Sequence, residues 1–373
     1  MLISLLRAAC ACAGDALHTL KLGFKLDSGM RDDVLELVTA HAESLRELHV
    51  AYTSYPVPDT HQAALLRAAP SLRELHTHVL NYVGQVTAML NGKPPWAPLR
   101  LRSVSVDVRD RSRVELEALF SAVATHEPLR ILYLYGISAA LHEPATLRGL
   151  VDAVIQRRLE SLYFQDCVPG PAGAPELARL LRDGTLTTLH LCGDEPLVED
   201  AAARVLAPAL ANSRLKELRL EYTGLWDALN AGVVLVRALA GHPTLRHFAM
   251  ISTTPPAAAA PVAGAALAAL VAADGALEEL LLQSSSLGDA GLRPLVEALP
   301  ENTHLQWLNV YGNGMSEAFQ RNVLLPAVRA NASLSRVDGL HEGTPSADEI
   351  CAILAGRPRA YDTDEELWDD EDF

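Results

Sequence analysis

The chain has 373 residues, 49% of them hydrophobic and 5% aromatic, with a formal charge of −15 at pH 7. That charge argues against a general nucleic-acid binder, which must cover phosphate with basic surface. No apolar run reaches the roughly 18 to 20 residues of a membrane span. Length alone suggests two or three domains, but an internal repeat overrides that prior.

The N-terminal stretch MLISLLRAACACAG is not read as a secretory signal, because Arg7 follows the first apolar residues and the apolar core is short. Leu2, Leu5, Leu6 and Ala9 are instead the inner face of a helix, over residues 1–16, that finishes an incomplete repeat. From there a phrase Leu-x-x-Leu-x-Leu, with substitutions, starts at Leu17, Leu45, Leu72, Leu101, Leu129, Leu159, Leu186, Leu215, Leu245, Leu277, Leu305 and Leu334. Successive starts lie 27 to 32 residues apart. Each phrase reads as a short strand. A helical face follows, as in Leu292, Leu295, Val296 and Leu299, spaced by three and four residues. One unit is a strand, a turn, a helix and a return turn. It cannot bury its apolar side alone, so copies must stack. One solenoid of about twelve repeats is expected over residues 17–360.

Between the periodic segments, Tyr55–Pro58, Gly92–Pro98, Val168–Pro171 and Thr254–Pro256 are proline-rich linkers. The last runs into Ala257–Ala260 and accounts for the 32-residue step. This Ala/Pro run is either a surface insertion or the start of the helix that continues through Leu267 and Leu270. Asn212, Asn302 and Asn331 each stand three residues before a strand leucine, which points to a structural turn rather than a glycosylation site at Asn331-Ala-Ser333. His41, His61 and His126 fall on helices or return turns and are expected to be exposed.

Cys10, Cys12, Cys167, Cys192 and Cys351 have no metal-ligand or redox spacing, so free thiols in a reducing, cytoplasmic setting are expected. After Arg359 the pattern stops. Residues 361–373 form an acidic tail, with eight acids in the last twelve residues and Trp368 and Phe373 among them. Like charge at that density keeps a segment extended.

The unit LEELLLQSSSLGDAGLRPLVEALPENTHL, from Leu277, resembles the ribonuclease-inhibitor class of leucine-rich repeats. So does LQWLNVYGNGMSEAFQRNVLLPAVRANASL, with Asn313 where that class often places Asn or Cys. The resemblance covers roughly residues 15–345 and is looser in the first six repeats, where Ser, Asp or Tyr take the Asn position. It implies an α/β horseshoe with parallel strands on the concave face and helices on the convex one. Spacing agrees: strands pack about 4.8 Å apart and helices about 10 Å, so stacked units bend with strands inside.

If the leucines at 0, +3 and +5 face inward, the residues at +2, +4 and +6 face the concave wall. Two clusters stand on that wall. Tyr133, Tyr135, Tyr163 and His190 lie on three neighbouring strands; Trp307, Asn309 and Tyr311 lie on one strand further on. Arg219 joins them in the +4 column. Tyr and Trp give large contact area with few rotors, so these residues are the candidate contacts for a protein partner. His49, His76 and His78 share a neighbourhood, but Glu47 and Glu74 can pair with them and no fourth ligand is evident, so no metal is expected.

Catalytic motifs are absent: there is no phosphate-cradling glycine loop, nucleophile elbow or helical His-Glu-x-x-His. The expected protein is a non-enzymatic monomer that binds a protein, without cofactor, nucleic acid or membrane. Two other readings stand beside it. Ran GTPase-activating proteins combine this repeat class with an acidic C-terminal segment, and Arg109, Arg111 and Arg113 follow the fourth strand here. The loops after the first two strands lack a comparable arginine motif. A ubiquitin-system adaptor or a bacterial effector is the other reading; four Lys against 27 Arg fits it, or a GC-rich genome.

Overall fold

A computed structural model describes residues 17–26, 31–52, 59–77, 83–93, 101–193, 199–273 and 275–357. The helix expected over residues 1–16, the acidic tail 361–373, His78 and most of the first two proline-rich linkers lie outside the described residues. The chain divides into two compact units, Met1–Leu215 and Lys216–Phe373.

The first unit has strands β1 (Thr19–Leu26), β2 (Glu47–Tyr52), β3 (Glu74–Thr77), β4 (Ser103–Asp107), β5 (Ile131–Tyr135), β6 (Ser161–Gln165) and β7 (Thr188–Cys192). They alternate with helices α1 (Arg31–Ala40), α2 (Asp59–Ala68), α3 (Val83–Leu90), α4 (Arg113–Thr125), α5 (Pro144–Arg157), α6 (Ala174–Asp183) and α7 (Asp200–Ala211). Each strand pairs in parallel with the next in sequence.

The second unit repeats the plan. Its strands are β8 (Glu217–Glu221), β9 (His247–Ile251), β10 (Glu279–Leu281), β11 (Trp307–Asn309) and β12 (Arg336–Asp338), parallel and paired in order. The helices are α8 (Leu229–Ala238), α9 (Ala260–Ala272), α10 (Gly288–Ala298) and α11, built from Glu317–Phe319, a π turn at Gln320–Leu324 and Leu325–Ala330; α12 (Pro345–Ala355) follows β12.

Every one of these strands begins two residues after a repeat leucine, and pairing keeps the repeat in register. Leu132, Leu162 and Leu189 are partners, as are Leu218, Phe248, Leu280, Leu308 and Val337. Parallel neighbours need a crossover, and right-handed crossovers put every helix on the same face. The leucines of β5, β6 and β7 point there and are buried, so β5 and β6 alternate buried and half-buried residues, and β7 does so until its last residue, Cys192, which is buried.

The strand ends turn by a shared device. The residue at +7 is left-handed in Gly136, Asp166, Gly193, Tyr222, Ser252, Ser284 and Gly312. In Gly136, Asp166, Tyr222, Ser252 and Ser284 its N–H extends the ladder by donating to the +6 carbonyl of the next repeat, as from Gly136 to Gln165, Asp166 to Cys192 and Ser284 to Tyr311. The +8 side chain then turns inward. Cys167 Sγ donates to Leu134 O at 3.2 Å, Thr253 Oγ1 to Leu220 O at 3.4 Å, and Ser285 Oγ to Met250 O at 3.2 Å. Asn313 does the most: Nδ2 donates to the carbonyls of Leu282 and Val310, and Oδ1 accepts from Leu287 N–H. Buried carbonyls beyond the strand are thereby paired.

The return turns close as expected at Asn302 and Asn331. Asn302 Oδ1 accepts from the N–H groups of His304 and Leu305 and its Nδ2 donates to Val271 O; Asn331 treats Ser333, Leu334 and Leu299 likewise. His242 fills the same position in its repeat, its Nδ1 accepting from Thr244 and Leu245 N–H. His126 takes that position too, three residues before Leu129, and His41 lies one residue earlier in its own return turn. His41 and His126, expected to be exposed, are buried at 7% and 8% relative exposure, because the return turn tucks beneath the next strand. The side chain of His61 lies outside those described.

The Ala/Pro run is not a surface insertion. Ala257–Ala259 forms a 3-10 turn leading directly into α9. Helix α9 packs so closely on α10 that a Cβ on Gly264 would lie 1.8 Å from Gly291 O, which is why its face is made of alanine and glycine.

Candidate interaction surface

In the first unit, Tyr133 on β5, Tyr163 on β6 and His190 on β7 are direct register partners. The Tyr133 and Tyr163 rings stack with centroids 4.2 Å apart at 18°. His190 meets Tyr163 edge-on at 5.8 Å, and Tyr135 lies 6.3 Å from Tyr133 at 16°. The sequence-based expectation that these four residues cluster is met by direct ring contact.

Sequence reasoning missed the reason they pack. Ser103 and Ser105 on β4 are small and buried, at 0% and 4% relative exposure. The tyrosines of β5 lean over them: Tyr135 hydrogen-bonds Ser105, and Tyr133 senses the charge of Glu74 on β3. Burial, then the neighbouring phenol of Tyr163, pushes the Tyr133 hydroxyl far above the usual phenol range. Burial pushes Tyr135 up to about 12. Both phenols are therefore neutral donors at physiological pH, with half-buried rings. Two serines in the strand-face column before two tyrosines are the sequence signal for such a trough.

In the second unit the candidates divide. Trp307 Nε1 donates to Asp338 Oδ2 at 2.7 Å, and the Arg336 guanidinium lies 4.1 Å from the Trp307 ring centroid while its Nε pairs with Asp338 at 3.0 Å. One face of the indole is thus already covered. Asn309 is buried and accepts from Tyr311 N–H at 3.0 Å, so its side chain shapes the turn. Tyr311 is 65% exposed. Arg219 is held by Glu221, Nε to Oε1 at 2.9 Å, and both are largely buried.

A histidine of the +2 column, given no role by the sequence, is held by acids. His247 stands between its register partners Glu217 and Glu279, with Nδ1 2.9 Å from Glu279 Oε2. The Glu279 hydrogen bond raises its pKa against the opposing effect of burial. His49 takes Glu47 as a partner through Nε2. Among the described residues no group of His, Cys, Asp and Glu is arranged to hold a metal.

The arginine loop is tied down by acids of its own. Arg109 chelates Asp107 through Nε and a terminal nitrogen, at 2.9 to 3.2 Å, and lies against Gly136. Arg111 faces Glu115 at 3.7 Å and Arg113 pairs with Glu117 at 2.7 Å. Among the described residues no helix is long and apolar enough to cross a membrane. No known family model matches the chain, and no curated protein matches it.

Proposed function

We propose that the protein is a non-enzymatic binding module of the leucine-rich-repeat horseshoe type, which holds a protein partner against its concave strand wall. The observation that carries this reading is the stack of Tyr133, Tyr163 and His190 across three adjacent strands. Rings fixed by their neighbours lose little entropy when a partner covers them, which is the property of a binding hot spot. Unequal spacing of strands and helices supports the curved arrangement. The same reading has the protein acting as a cytoplasmic monomer. The paired arginines of the β4–α4 loop give no support to a GTPase-activating role.

Immobilised protein should capture a partner that the Tyr133→Ala/Tyr163→Ala variant captures at least thirtyfold more weakly, the effect of losing one hot spot. Undiminished capture by a correctly folded double variant would sink the strand-wall reading.

A further inference from the structure

The strand-end rim of the second unit carries two exposed tyrosines, Tyr222 at 53% and Tyr311 at 65% relative exposure. The main chain links them. Tyr222 N–H donates to Ile251 O, Ser252 N–H to Gln283 O and Ser284 N–H to Tyr311 O. They are therefore three strand steps apart, about 14 Å at the usual interstrand spacing. Between them the left-handed positions hold only Ser252 and Ser284. The span between the two phenols thus holds Ser252 and Ser284, with Ile251 and Gln283 half-buried beside them.

The Tyr222 end is built against local preference. Gly, Ser or Asp fills the +7 position in the other repeats where it is left-handed, whereas Tyr222 takes it at φ 52° with a bulky side chain. Within the next four residues Thr223 Oγ1 and Trp226 Nε1 are buried without a hydrogen-bond partner. Three local conflicts in five residues mark a segment kept for something other than stability.

The charge on this rim is one-sided. No Lys or Arg occurs in the strand-end segments 222–228, 252–259, 284–290, 312–318 and 339–346. Asp227, Glu317 and Glu342 are exposed there. Asp289 is half-buried and holds Ser316.

We propose that Tyr222 and Tyr311 are the walls of a docking site for a basic helical segment of a partner protein. A helix with its side chains is about 10–12 Å across and fits the gap. Its guanidinium or ammonium groups meet the phenol faces and the exposed carboxylates. This site is separate from the tyrosine stack of the first unit.

The probe is an alanine-based helical peptide with four arginines on one face, and its counterpart with four glutamates, followed by fluorescence anisotropy near 0.1 M salt. The arginine peptide should bind, at least tenfold more weakly to Tyr222→Gly/Tyr311→Ser, and the glutamate peptide should not bind. Glycine suits the left-handed backbone, so the variant should melt no lower than the wild type. Tyr133→Ala/Tyr163→Ala should bind the arginine peptide as the wild type does, which separates this site from the strand wall. Absence of binding, equal binding of the two peptides, or an affinity unchanged in Tyr222→Gly/Tyr311→Ser would overturn the proposal. The last result would place the peptide on diffuse acidic charge.

Discussion

Tyr133 and Tyr163, register partners on neighbouring strands, stack at 4.2 Å with their rings 18° from parallel. Such pairs contribute about 0.5–1.5 kcal/mol beyond the area they bury. Urea unfolding of Tyr133→Ala, Tyr163→Ala and the double variant forms a double-mutant cycle. A coupling within that range is expected. Strict additivity would mean that the rings only lie side by side.

Asn313 satisfies carbonyls of two repeats and one N–H with a single amide. Asn313→Ala leaves buried polar groups unpaired and should destabilise the second unit by about 3 kcal/mol. Asn313→Ser should lose less, because Ser285 and Thr253 bridge the same way in their own repeats. Chemical denaturation curves of the two variants check the order.

Tyr222→Gly should stabilise the second unit by about 1 kcal/mol, since a side chain in the left-handed region costs roughly 1–2 kcal/mol. Gly312→Ala should do the reverse. Gly312 has φ 70°, and its Cβ would fall 2.8 Å from Ser284 Oγ. Thermal melting reads both signs.

Two histidines should give opposite pH dependence. The folded pKa of His247 is raised by Glu279, so its contribution is fully present below the ordinary histidine value of about 6.5 and is lost as pH rises through the higher folded value. Burial lowers the folded pKa of His126, so the fold favours the neutral ring, and stability falls as pH drops below about 6.5 toward that lower value. His247→Gln should flatten the loss on the alkaline side, and His126→Gln the loss on the acid side. Unfolding midpoints measured from pH 5 to 8 test this; equal slopes in both variants would contradict the assignment.

The strands and most of the helices were legible because burial imposes a period. A leucine every second or third residue has one face to bury, and its recurrence places β1 through β12 two residues past each repeat start. The tyrosine cluster was legible for the same reason: alternation sends Tyr133, Tyr163 and His190 to one face, and register makes them neighbours. The buried state of His41 and His126 was not legible, because a return turn has no period. Its side chains are buried or exposed according to what the next repeat lays over them.

By itself, then, the amino-acid order determined where each strand starts, which residues leave the core, and that units must stack, since these follow from local periodicity and the need to bury leucine. Only the tertiary structure decided how the outward residues are used. Asn309 turns into its own loop, Trp307 is shared between Asp338 and Arg336, Tyr135 hydrogen-bonds Ser105, and Tyr222 is held out in a left-handed turn. The contacts of Trp307 and Tyr135 join residues 29 to 31 apart in sequence. No local pattern encodes them until the repeats are laid side by side.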